Sequence, residues 1–99
     1  NKDYREKAIT IAKQEVEERP TAQSYDLLAW AYYKNEQTKK AIAITREYVL
    51  GKTFEPEALL HAAIILKNDD RFEITSLKKE LIGAIYELGP TAEQTILNL

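Results

Sequence analysis

His61 and Glu57 are the pair in this chain best spaced for chemistry. Four residues apart, they share one face of any helix that carries both, and an imidazole beside a carboxylate could ligate a metal or move a proton. Two ligands are too few to hold a metal, and with one His and no Cys in 99 residues the usual third ligand is missing. A histidine lodged in a helix-packing seam is the simpler expectation. The glycines at 51, 83 and 89 are too scattered to cradle a phosphate, and neither a Gly-Lys-Ser nor a Gly-x-Gly-x-x-Gly run occurs. No catalytic residue, cofactor site or metal site emerges, so the expectation is a protein that is not an enzyme.

Charge narrows the partners. The basic pairs Lys39-Lys40 and Lys78-Lys79 recur at nearly regular spacing and could line up for an acidic partner, but Glu47 and Glu80 offset them and a solvated helix face explains them as well. A net charge of −2 gives no field that would concentrate nucleic acid or an anionic membrane surface. No apolar run approaches the 18 or so residues that a membrane span requires. The expected partner is therefore a protein or peptide, with no nucleic acid and no membrane. Lack of Cys leaves the compartment undetermined, and lack of Met even at position 1 reads as a piece of a longer protein. With no linker-like or low-complexity stretch, residues 1–99 read as a single domain.

The elements that would position these residues are helices. Ala8, Ile11, Ala12 and Val16 recur at helical spacing from Tyr4 onward until Arg19-Pro20. Thr21 is suited to cap a second helix with the stripe Tyr25, Leu28, Ala29 and Tyr32, ending at Lys34-Asn35-Glu36-Gln37. Ala41, Ile44, Tyr48 and Val49 stripe a short third helix that Gly51 closes, and Pro56 opens a fourth with Ala58, Ala62 and Ile65. Asp70 and Glu73 pattern as a capping box for a long fifth helix through Ile74, Leu77, Leu81, Ile85 and Leu88, with Gly83 weakening it from within. Thr91 and Gln94 repeat the capping pattern for a partial sixth.

Helices one, three and five coincide under a shift of 33 residues: Ala8, Ala41 and Ile74; Ile11, Ile44 and Leu77; Val16, Val49 and Ile82. Helices two and four obey the same shift, with Ala29 over Ala62 and Tyr33-Lys34-Asn35 over Leu66-Lys67-Asn68. Self-similarity at this period is the mark of stacked helix hairpins, each unable to bury its apolar face alone. The stretch Leu27-Leu28-Ala29-Trp30-Ala31-Tyr32-Tyr33-Lys34, followed by Ala41-Ile42, resembles a tetratricopeptide repeat (TPR). Ala29 stands at the family's Gly, Ala8 and Ala41 at its Ala, Tyr32 at an aromatic and Pro20 at the closing Pro. The departures are Tyr25 for tryptophan, Tyr48 and Leu81 for a small residue, Ile74 for alanine, and Glu36 or Asp69 in the turn where Gly is usual.

The resemblance covers nearly the whole chain and implies an all-α fold of antiparallel hairpins stacked as a right-handed superhelix, five helices plus a partial sixth. It implies that Asp26, Trp30, Tyr33, Leu59 and Leu66, on the face of helices two and four left over by the packing stripes, floor a concave groove for a partner helix or extended peptide. Cover over Trp30 by the sixth helix or by further chain is the competing expectation. Asp26, Trp30, Leu59 and Ala63 lack the cationic clamp with which some family members grip chaperone tails. The functional expectation is an interaction or scaffold module, the alternative a spacer or self-association element. If Trp30 serves only as an anchor, Trp30→Ala weakens capture and leaves melting unchanged.

Overall fold

Two of the helices start where a side chain supplies a cap. A computed structural model describes residues 2–83 and 88–99, which form α1 (Lys2–Glu18), α2 (Ala22–Lys34), α3 (Thr38–Ile44), α4 (Pro56–Leu66), α5 (Thr75–Gly83) and α6 (Pro90–Leu97), with no strand among the described residues. The chain is all-α, as expected; Ile85 of the expected fifth stripe lies outside the described residues. Thr21 caps α2, its Oγ1 accepting from the Ser24 amide at 3.1 Å. Glu55 caps α4, its carboxylate accepting from the amides of Glu57 and Ala58 at 3.1 and 2.8 Å, with Pro56 at the first helical position.

The turn between α2 and α3 is a Schellman motif: the Glu36 amide donates to Tyr33 O and the Gln37 amide to Tyr32 O. Its closing residue, Glu36, takes φ +61°, the left-handed region where the resembled family places glycine. The equivalent turn after α4 is solved otherwise. The Asp69 carboxylate accepts from the Arg71 amide at 3.1 Å and the Phe72 amide donates back to Asp69 O at 3.0 Å, so a compact turn forms and α5 is delayed to Thr75. The capping box expected from Asp70 and Glu73 is therefore not made; Glu73 instead accepts from the Thr75 amide and hydroxyl at 3.1 and 2.6 Å. Thr91 is inside α6 and caps nothing, since the helix starts one residue earlier at Pro90 after Gly89.

α3 runs into a π-helical turn, Thr45–Val49, in which the Leu50 amide reaches back five residues to Thr45 O at 2.9 Å. Here Tyr48 meets Tyr25 of α2 ring on ring, centroids 4.0 Å apart and planes within 8°. The two departures from the family pattern thus answer each other across one hairpin.

Packing is set by small residues. Ala29 and Ala41 are fully enclosed and let α2 approach α3 closely; Ile9, Ala12, Leu28, Tyr32 and Ile65 complete the first apolar core. Leu59, Ala62, Ala63, Leu66, Leu77, Leu81 and Ile96 form the second, which joins α4 to α5 and α6. α2 is the hub, packed against α1, α3 and α4. In α1 the sequence stripe is only half right: Ile9 and Ala12 face α2, Val16 is half-buried, and Ala8 and Ile11 are exposed. A helix in a stack has two apolar faces, one for its hairpin partner and one for a helix on the other side, and periodicity merges them.

Candidate functional site

Asp26 on α2 and His61 on α4 meet across the interhelical seam. His61 Nδ1 is 3.1 Å from each Asp26 carboxylate oxygen, an Nδ1–H donor against an acceptor that is only 6% exposed. Trp30, one turn beyond Asp26, lays its indole on the imidazole with centroids 4.1 Å apart and planes 14° from parallel. Tyr33 also packs against Trp30, with centroids 5.3 Å apart and planes 27° from parallel, and Lys34 Nζ is 5.6 Å from the indole centroid. Asp26 and Trp30 thus meet at His61, and Tyr33 joins them through Trp30. His61 turns to Asp26 and Trp30 and not to Glu57, which is exposed, and no group of three potential metal ligands gathers among the described residues. A carboxylate–imidazole bond and a stacked indole thus clamp α2 to α4.

Leu59 and Leu66 sit elsewhere. Both are enclosed in the second core, under Leu77 and Leu81 of α5 and Ile96 of α6, so they floor no open groove. The delayed α5 and the docked α6 cover them, which helical periodicity in α4 alone does not reveal. Asp26 is likewise withdrawn from any ligand by its bond to His61. Of the five expected contact residues, Trp30 and Tyr33 keep exposed surface.

An open apolar surface lies between α2 and α1 and includes Trp30. α1 and α2 diverge around a groove of about 780 Å³ whose apolar wall is Tyr4, Ala8, Ile11, Leu27, Trp30 and Ala31. Ile11 is 65% and Leu27 53% exposed, costly positions for large aliphatic side chains unless something covers them. Charged groups mark the ends: Arg5 and Lys34, joined by an Arg5 Nη1 donation to Lys34 O at 3.5 Å, with Glu36 beside them, and Glu15 at the far end, paired with Arg19 at 2.8 Å. Helical periodicity places Ile11 in the core stripe of α1 and gives Leu27 no contact of its own. The available signal was that Leu27 falls outside the stripe of Tyr25, Leu28, Ala29 and Tyr32.

Asp69 is a second feature that sequence reasoning missed. Its buried carboxylate also takes Arg46 Nη1 at 2.7 Å and so ties the π-helical turn to the segment after α4. The Arg71 amide, helped by the two guanidinium groups and opposed by burial, holds its carboxyl below the ordinary carboxylate range. Of the basic pairs, Lys40 reaches the face of Tyr32 at 5.4 Å, and Lys39 and Lys79 are exposed. No helix among the described residues is long and apolar enough to cross a membrane. Compared with protein-family models, curated proteins and solved structures, the chain matches none.

Proposed function

We propose that this chain is a divergent TPR-like interaction module, a right-handed stack of helix hairpins that holds a helical segment of a partner protein in the groove between α1 and α2. The observation that carries this reading is the pair of large aliphatic residues, Ile11 and Leu27, displayed on the two walls of one apolar groove with Trp30 and Ala31 at its floor. Burying them is worth roughly 25 cal/mol for each Å² removed from water, and aromatic floors of this kind supply much of the energy of helix-in-groove recognition. On this reading the module binds and does not catalyse, uses no cofactor, and engages neither nucleic acid nor membrane. The concave surface through Leu59 and Leu66 gives way to the α1–α2 groove as the contact surface.

Panning the immobilised protein against a displayed library of amphipathic helical peptides tests the reading. Enriched peptides should bind the wild type and lose affinity by about tenfold or more for Ile11→Glu, while circular dichroism shows that variant folded. Binders indifferent to Ile11→Glu would place recognition elsewhere. Trp30→Ala is a poor test, because the indole also clamps His61 and its removal disturbs the fold.

A further inference from the structure

The 33-residue shift makes the uncovered groove comparable with two surfaces of the same molecule that are covered. Ala41 and Ile44 on α3 occupy the columns of Ala8 and Ile11; α2 packs over them, Ala41 fully enclosed and Ile44 against the first core. Ile74, just before α5, and Leu77 within it occupy the same columns, and both pack into the second core with α4. Only the α1 copy of the column is open, with Ala8 and Ile11 exposed. The interface that closes the second and third copies is thus continuous, by repeat, with the groove on the first.

From this continuity, and resting on the functional reading above, we infer that the groove takes an α-helix of another protein bearing the face that α2 turns toward α3: an aromatic residue, then leucine and a small residue three and four positions on, then a second aromatic at seven. That face is Tyr25, Leu28, Ala29 and Tyr32, and the small residue is what permits close approach over Ala8, as Ala29 does over Ala41. A second copy of the chain does not supply it. Its α2 and α4 are already packed, and α6, the remaining helix in this repeat position, carries Thr91, Gln94, Thr95 and Asn98 in the matching columns, none of them buried. Polarity follows from the ends. A helix antiparallel to α1, as α2 is to α3, puts its positive N-terminus beside Glu15 and its negative C-terminus beside Arg5 and Lys34, two cations against the single carboxylate of Glu36 there.

The single tryptophan lies in the groove and reports its occupancy. The probe is a synthetic peptide of residues 21–37 with Trp30 replaced by Ala, titrated into the intact chain, with a scrambled peptide as control. The expected result is a saturable blue shift of the protein's emission, absent with the scrambled peptide and about tenfold or more weaker in Ile11→Glu and in Leu27→Glu, two exposed sites whose change spares the fold. Library helices that need Ile11 while this peptide fails to bind would overturn the inference and leave the proposed function standing. A shift that follows protein concentration without peptide, with a dimer by light scattering, would assign the groove to a second copy and overturn the inference. No response to any helix would overturn both.

Discussion

Glu36 and Asp69 stand at the same place in successive repeats and pay different energetic costs. Glu36 closes its turn in a left-handed conformation that a residue with a Cβ adopts at a cost of roughly 1 kcal/mol or more. Glu36→Gly should therefore raise stability by about 1 kcal/mol, a rise of several degrees in melting temperature, measurable by thermal denaturation. Asp69 sits in the opposite regime, its carboxylate satisfied by Arg71 and Arg46. Its carboxyl is depressed in the folded state, so the unfolded chain binds the extra proton first. The stability it contributes is present above the ordinary carboxylate range and is lost as pH falls through the folded value. Urea unfolding between pH 6 and pH 2 should show that loss, and Asp69→Asn should flatten it. Thr45, whose buried hydroxyl has no partner among the described residues, predicts that Thr45→Val is neutral or stabilises by about 1 kcal/mol.

Helices show how much the sequence told and where it went silent. The caps at Thr21 and Glu55, the left-handed Gly51 at φ +77° and the enclosed Ala29 and Ala41 all follow from local residue chemistry, and all but the Glu55 cap are readable from residue type and spacing alone. The late start of α5 was not readable, because it depends on the Asp69 carboxylate choosing the Arg71 amide over a role in the helix. Nor was the fate of Leu59 and Leu66, decided by α5 and α6 settling on α4 from a distance along the chain. Ile11 is exposed although it falls on the periodic stripe, because α1 carries two apolar faces that a single period merges. Gly83, in α5, has open space where a Cβ would sit. Gly83→Ala should stabilise the chain by about 0.5–1 kcal/mol in the same denaturation assay.

Over the whole molecule, the radius of gyration of 13.2 Å matches the ~13 Å expected for a compact chain of this length. Extents of 33 × 28 × 26 Å leave no long channel through the molecule. α1 and α2 expose what α3 and α5 conceal, while α6 carries threonine, glutamine and asparagine in the equivalent columns and leaves Leu97 exposed. Since the chain lacks cysteine, single cysteines at equivalent repeat positions give the most direct test: Ile11→Cys and Leu77→Cys, labelled with a maleimide under native conditions in monomeric protein. The account predicts that the first reacts at nearly the rate of a free thiol and is protected when a groove-binding helix is added, whereas the second reacts only as the chain unfolds. Protection of both cysteines in the isolated monomer would contradict it.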